Sequence, residues 1–161
     1  MTDKRRVLDL LRAKLDGDLS SFTTSQEAAQ TGATHEESRQ EDPKDTRAIE
    51  ATYLARGLAE RVELLREAIA GLARLKLVDF GPEDPIALSA LLGLEQESGG
   101  EALYFLVPDA GGETLELDGT TIRTLTPGSP LGRALMGKQV DDEIDLELPG
   151  KRLQLTIGWV R

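Results

Sequence analysis

The 161-residue sequence contains no cysteine, and aromatic residues make up only 4% of it. The absence of cysteine excludes disulfides, thiolate metal sites and a cysteine nucleophile. The scarcity of aromatic residues means that the core is built from leucine, valine, isoleucine and alanine. No apolar run approaches the roughly 18 residues of a membrane-spanning helix, and the first residues are polar. We therefore expect no membrane span, no signal peptide and a reducing, cytoplasmic environment.

Basic residues are also fewer than acidic ones. The chain has 19 lysines and arginines against 29 aspartates and glutamates, for a formal net charge of -10. Proteins that grip nucleic-acid phosphates usually carry the opposite sign. We expect no direct contact with nucleic acid. An acidic chain of this kind is attracted instead to a basic cleft on another protein, or to metal ions.

The first half of the chain has the spacing of two helices around a break at Pro43. Proline disfavours helical geometry in the residue before it. Ahead of the break, apolar residues recur at spacings near three and four. After it, a strict four-three alternation predicts a coiled-coil seam, formed by Leu58, Val62, Leu65, Ile69 and Leu72 and continued backwards through Ala55, Ala51 and Ala48.

These two runs predict an antiparallel helical hairpin over residues 1–78 that folds back near residue 41. In that arrangement the expected partners are Leu8 with Leu72, Leu15 with Leu65 or Ile69, Phe22 with Leu58, and Ala29 with Ala51. Large residues would line the base and alanines the distal end. Each arm of roughly 30 residues would be about 45 Å long at 1.5 Å per residue.

The second half, residues 79–161, has short alternating or apolar runs between turn residues. These runs are 86–94, 102–107, 120–125, 143–148 and 153–160. They predict a small antiparallel sheet of four to six strands, with a helical turn near 130–136, a terminal hairpin at Pro149-Gly150 and Trp159 in the core. The fold class is therefore α+β.

The predicted hairpin tip, residues 35–46, is rich in acidic residues. Between positions 35 and 45 there are two basic residues and five acids, namely Glu36, Glu37, Glu41, Asp42 and Asp45. Clustered carboxylates can bind Mg²⁺ or act as general bases. A solvated charged loop has the same composition. The only histidine, His35, has no second histidine nearby and is interpreted as an exposed bystander.

Residues 132–139 nearly match a phosphate-binding loop. Gln139 stands where that motif needs serine or threonine, and a strand rather than a helix is predicted to follow. Nucleotide binding is therefore excluded. No other metal-ligand set or cofactor motif is present, so a free-standing phosphatase or nuclease has little support.

The same segment resembles the signature of the GreA/GreB family C-terminal domain. There a serine-proline pair opens a helical turn, and a glycine-lysine step and an acidic pair lead into a strand, as Ser129-Pro130, Gly137-Lys138 and Asp141-Asp142 do here. Residues 104–107 and 115–125 are similar to the strands that precede it. The predicted hairpin resembles the N-terminal coiled coil of the family, so the resemblance covers nearly the whole chain.

The resemblance implies a fold, a partner and a mechanism. The β domain would be FKBP-like and would dock at the rim of the secondary channel of bacterial RNA polymerase. The coiled coil would reach the active centre, where tip acids help to hold a second Mg²⁺ of the polymerase and the polymerase cleaves backtracked RNA. The chain itself would be a monomeric accessory factor, not an enzyme, and it would have no cofactor of its own.

Two sets of site residues follow from the resemblance. The tip set consists of Glu36 and Glu37, supported by Asp42 and Asp45. The partner-binding set consists of Ser129, Pro130, Leu131, Gly132, Arg133, Gly137 and Lys138.

The tip departs from the family pattern Gly-Asp-Leu-x-Glu-Asn-Ala-Glu-Tyr. Residues 32–40 place Glu36 at the position of the family glutamate, but Ala33 replaces the aspartate. Either the additional acids Glu41, Asp42 and Asp45 replace the missing carboxylate, or the factor occupies the channel as an inhibitor or modulator without stimulating cleavage. A third hypothesis is a coiled-coil adaptor for an unrelated protein. Its most specific version is a dimer that forms through the seam.

Overall fold

Two long helices open the structure, a computed structural model that describes residues 3–38, 46–97 and 99–161. Helix α1 spans Lys4–Ser38 and helix α2 spans Thr46–Arg74. Both are unbroken over the length that apolar spacing predicts. The helical half of the prediction is confirmed.

Side chains satisfy backbone groups where α1 begins and where α2 ends. The Asp3 carboxylate accepts a hydrogen bond from the Arg5 backbone N–H at 2.8 Å, as a capping residue does. The Arg12 guanidinium donates to the carbonyl oxygen of Leu72 at 2.9 Å. That oxygen is one of the carbonyls that the last turn of a helix leaves without an intrahelical partner.

The predicted seam is the buried side of α2. Its positions are all buried or half-buried, and the most enclosed are Ala48, Val62, Leu65 and Leu72. On α1 the buried apolar residues are Val7, Leu8, Leu11 and Leu15. The seam therefore follows the four-three alternation that a coiled coil requires.

Two side-chain contacts show that the helices run antiparallel. Arg12 contacts the carbonyl of Leu72, and the Arg61 guanidinium lies 5.6 Å from the centre of the Phe22 ring. Rising residue numbers on α1 thus meet falling numbers on α2. The predicted fold-back near residue 41 lies outside the described residues.

A six-stranded sheet forms the second half of the chain, with strand order β3-β4-β2-β1-β6-β5. Its elements are β1 Leu91–Gln96, β2 Glu101–Leu106, β3 Thr114–Leu117, β4 Thr120–Leu125, helix α3 Pro130–Leu135, β5 Glu143–Leu148 and β6 Lys151–Val160. Apolar residues from the sheet, from α3 and from the segment before β1 form one core cluster, which includes Ile86, Leu94, Leu106, Leu135, Ile144 and Ile157.

One pairing departs from the antiparallel prediction, because β2 and β4 are parallel. The cause is the short strand β3, which is not among the runs predicted from alternation. The β3–β4 hairpin docks with its second strand against β2. Two chain reversals therefore separate the neighbours, and they run in the same direction. The other neighbouring strands pair antiparallel.

The predicted strand 86–94 is wrong in its first half. Ser89 is buried with a φ of 73°, a left-handed conformation that a strand does not contain. The Ile86 N–H donates to the Lys138 carbonyl at 2.8 Å, and the Gly137 N–H donates to the Ile86 carbonyl at 2.9 Å. The segment is thus a loop: Ile86 bonds to residues after α3, whereas the Ser89 N–H donates to the Leu106 carbonyl at 2.9 Å. Strand β1 begins only at Leu91.

The terminal hairpin is confirmed, because Leu148 pairs with Lys151 across Pro149-Gly150. Trp159 is half-buried, so its predicted place in the core is wrong. Its ring lies over Gly93, where an added Cβ would come within 2.4 Å of the indole nitrogen. The indole N–H donates to the Glu101 carboxylate, and that hydrogen bond keeps the polar edge of the ring at the surface.

The described chain groups into two compact units by its contacts. One is Ala13–Ile69, and the other comprises the residues up to Arg12 together with Ala70–Arg161. The first residues of α1 and the last residues of α2 thus belong to the same unit as the sheet. The predicted domains, 1–78 and 79–161, stay a prediction.

Candidate partner-binding site

The acidic tip is described only in part. The backbone of Glu36 and Glu37 lies in the last turn of α1, but their side chains are outside the described part of the chain, as are Asp42 and Asp45 entirely. The last turn of a helix presents free carbonyl oxygens and the negative end of the helix dipole. The predicted role of these four acids stays a prediction.

The predicted partner-binding segment is built around the start of α3. Ser129 caps the helix, because its Oγ accepts a hydrogen bond from the Gly132 N–H at 3.1 Å and donates to the Thr126 carbonyl at 2.8 Å. Pro130 occupies the first helical position, where its fixed φ and missing N–H are favourable. The serine-proline pair is therefore a helix start, and the hydroxyl of Ser129 is engaged within the fold.

Two glycines of this segment are required by backbone geometry. Gly132 is buried, and an added Cβ would lie 1.9 Å from the Thr126 carbonyl oxygen. Gly137 has a φ of 79°, which glycine adopts without strain. Its N–H holds Ile86 in place. These glycines shape the surface without presenting side chains to a partner.

The remaining residues of the partner-binding set divide between core and surface. Leu131 is half-buried against the core cluster. Pro130, Arg133 and Lys138 are exposed. Arg133 also donates a hydrogen bond to the Gly128 carbonyl, which orients its guanidinium along the segment. The exposed members of the set are therefore two cations and the apolar Pro130, all within residues 130–138.

Met136 is an exposed large apolar residue of the same stretch that the predicted set omits. The apolar spacing around α3 gave no signal for its exposure. Met136 ends the helix, and its N–H still bonds to the Gly132 carbonyl. Its flexible thioether side chain is of the kind that suits an adaptable protein interface.

The acidic pair that follows α3 forms the turn into β5. Asp142 accepts a hydrogen bond from the Gln139 N–H at 2.8 Å. Asp141 has a φ of 69°, and its N–H donates to the Ile157 carbonyl at 2.8 Å. The pair therefore fixes the geometry after Lys138, and β5 confirms that a strand, not a helix, follows the near match to a phosphate-binding loop.

Lys4 ties the start of α1 to the chain that follows α2. Its side chain is only 8% exposed, donates to the Val78 carbonyl and lies 5.1 Å from the centre of the Phe80 ring. Burial lowers the pKa of Lys4, and the nearby Asp79 carboxylate opposes that shift. Sequence reasoning missed this contact, because nothing local relates residues so far apart in the chain.

A second tie joins α1 to the turn between β3 and β4. The Arg6 guanidinium makes two hydrogen bonds to the Asp118 carboxylate, at 2.6 and 3.0 Å. The hydrogen bond from Arg6 holds the pKa of Asp118 below its usual value. Asp118 has a φ of 52° and is followed by Gly119 at 77°, the geometry for which Asp-Gly hairpin turns are selected.

Carboxylates also line an open groove on the sheet. Glu95 of β1 and Glu143 of β5 both pair with Thr156 of the strand between them, and Asp145 lies nearby. Among the described residues, no group of three or more histidine, aspartate or glutamate side chains is arranged to hold a metal ion. In the same part of the chain, no helix is long and apolar enough to cross a membrane.

Comparisons with known proteins point to one family. The family described as "Transcription elongation factor, GreA/GreB, C-term" matches residues 82–161. The chain is 32% identical over 117 residues to transcription elongation factor GreB of Pasteurella multocida, covering 69% of this chain and 68% of the relative. It is 35% identical over 107 residues to GreB of Xanthomonas axonopodis, covering 62% of this chain.

The matched region spans 58% of the length of that Xanthomonas relative. Among solved structures, the GreA factor homolog 1 (Gfh1) protein of Thermus thermophilus is similar at 21% identity, with a TM-score of 0.38 and coverage of 93% of this chain and 94% of that one.

Proposed function

The chain belongs to the GreA/GreB family of transcription elongation factors, and on that premise we propose that it regulates transcription elongation by binding bacterial RNA polymerase. The observation that carries this proposal is the match over residues 82–161, which contains α3 and its exposed cations. The net charge of -10 favours a basic cleft on a protein over naked nucleic acid. The chain then acts in the cytoplasm, as a monomer, and meets DNA only through the polymerase.

In this proposal the α3 segment docks at the rim of the secondary channel. Arg133 and Lys138 supply charge, and Pro130 and Met136 supply apolar contact. The Ser129 cap and the close approach at Gly132 support these side chains on a fixed backbone. A preorganised surface of this kind loses little conformational entropy when a partner binds.

The hairpin tip acts at the active centre of the polymerase. Glu36 and Glu37, with Asp42 and Asp45 in support, offer the carboxylate oxygens that Mg²⁺ takes as ligands. They help to hold a metal that the polymerase binds weakly and orient the water that attacks the RNA phosphodiester. The chain is then an accessory factor that completes an active site belonging to its partner, with no cofactor of its own.

A second candidate function is channel binding without cleavage. It is favoured by Ala33, which stands where the resembled family pattern has aspartate. One fewer carboxylate weakens the hold on a divalent cation. The factor would then occupy the channel and slow or modulate elongation.

RNA cleavage in a stalled, backtracked polymerase complex separates the two. If the tip assists the metal, the purified chain accelerates cleavage, and Glu36→Ala with Glu37→Ala removes at least about 90% of that acceleration. Glu27→Ala is the matched control, because it removes an exposed acid of α1 well before the tip. Binding without acceleration supports the modulator, and absence of binding refutes both.

The affinity of the chain for polymerase tests whether it docks through α3. Replacing both Arg133 and Lys138 with alanine should weaken binding about tenfold or more. Lys151→Ala changes an exposed cation at the start of β6 and should leave affinity unchanged. If Lys151→Ala loses as much binding free energy per removed charge as the double variant, then net charge alone, and not the α3 segment, determines affinity.

A further inference from the structure

The outward side of α2 carries large apolar side chains. Ile49, Tyr53 and Leu64 are 51%, 70% and 57% exposed. At about 100° per residue, these positions lie within roughly 60° of one another and face away from the buried seam residue Val62. With Glu60, which lies between them on the same side, they form what we term the α2 outer stripe.

Helix α1 differs in this respect. In its described part, no large apolar side chain is exposed to this degree. Outward positions such as Thr24 and Thr31 carry hydroxyls that donate to backbone carbonyls four residues earlier. Isolated exposed apolar residues are ordinary, but isoleucine and tyrosine are poor choices for a solvated helix face. The asymmetry indicates that the outer side of α2 is covered by another molecule.

The charge around the outer stripe indicates what covers it. Leu64 lies in a shallow hollow that it shares with Glu60, Glu63, Glu67 and Arg56. Arginines pair with two of these three acids, so the hollow keeps a negative excess. It fits an apolar side chain flanked by lysine or arginine. A second copy of this chain, with its own charge of -10, fits poorly.

We propose that the α2 outer stripe is a docking surface for a basic, amphipathic helix of the partner protein. Positions 49, 53, 60 and 64 repeat at intervals of four and seven, the spacing by which one helix packs along another. The proposal rests on the proposed function, in which that partner is RNA polymerase. It adds a side contact along the hairpin to the contacts of the tip and of α3.

The test is the affinity of the full chain for core bacterial RNA polymerase. Tyr53→Ala and Leu64→Ala together should weaken binding at least about tenfold, as the loss of apolar anchors does at protein interfaces. Leu54→Ala is the matched control, because Leu54 is 59% exposed on the same helix but lies about 100° around it from Tyr53. Its affinity should stay within about twofold of wild type. All three residues are exposed, and circular dichroism verifies that each variant keeps its helices.

An unchanged affinity in the double variant, or an equal loss in Leu54→Ala, overturns the proposal. A wild-type dimer that Leu64→Ala dissociates, seen by sedimentation, also overturns it, because the occupant is then a second copy. If the wild-type chain does not bind polymerase at all, the proposed function fails first and this inference fails with it. That result is distinct from wild-type binding that the outer-stripe variants do not weaken.

Discussion

A single methyl group added at Gly132 should disrupt the partner-binding segment. In Gly132→Ala the new Cβ would lie 1.9 Å from the Thr126 carbonyl oxygen and 2.8 Å from the Ser129 hydroxyl. Both atoms belong to the cap of α3, and the nearer one is backbone, so no rotamer change relieves the clash. Overpacking of this kind costs about 1–3 kcal/mol, and we expect about 2–3 kcal/mol here because the helix start itself has to move.

Thermal unfolding measures this cost. For a chain of this size, each kcal/mol lowers Tm by about 2–4 °C, so the expected loss is about 4–12 °C. Gly128→Ala is the control four residues earlier, because an added Cβ there meets no atom within 4 Å. Its Tm should stay within about 2 °C of wild type or rise slightly, since alanine restricts the unfolded chain. Equal Tm values for the two variants would refute the steric reasoning.

Three further predictions concern stability. Leu72→Ala, at a buried position of the seam, should lower the free energy of unfolding by about 2–5 kcal/mol. Leu64→Ala should change it by less than about 0.5 kcal/mol. Urea titration of both variants measures the difference, and equal losses would contradict the seam assignment. The Arg6–Asp118 pair stabilises the fold at neutral pH. Because the folded pKa of Asp118 is lowered, this contribution should disappear as pH falls through that pKa, and Asp118→Asn, which keeps the turn, should flatten the acid limb of a pH–stability curve. Lys4 has a lowered folded pKa, so the unfolded chain binds more protons just below pH 10.5 and stability should rise with pH there; Lys4→Met should remove that rise, and a rise that persists would implicate another group.

The helical half of the fold could be predicted because its signal is local. The four-three alternation from Ala48 to Leu72 extends over many turns and fixes which side of α2 is buried. The wrong elements depend on contacts between distant residues. The parallel pairing of β4 with β2 depends on where the β3–β4 hairpin docks. The loop that replaces the first half of the predicted strand 86–94 depends on hydrogen bonds between Ile86 and residues after α3.

The candidate site also has a part that could be predicted from local sequence and a part that could not. The motif around Ser129-Pro130 predicts the partner-binding segment, and that role stays a prediction. Composition did not distinguish the residues that build the segment from those that face outward. Gly132 and Ser129 are engaged within the fold, while Arg133, Met136 and Lys138 are exposed. That division depends on a turn whose close backbone approach is visible only in three dimensions. The Lys4 contact had no local sequence signal for the same reason.

Site-specific photo-crosslinking to bacterial RNA polymerase tests the central claim most directly. A photoreactive residue is placed at position 37 in the tip, at position 133 in α3, and at position 151 at the start of β6 as a control. We expect adducts with the polymerase from positions 37 and 133, with the adduct from position 37 mapping beside the catalytic centre, and little from position 151. Absence of adducts from positions 37 and 133, together with no measurable binding, would contradict this expectation.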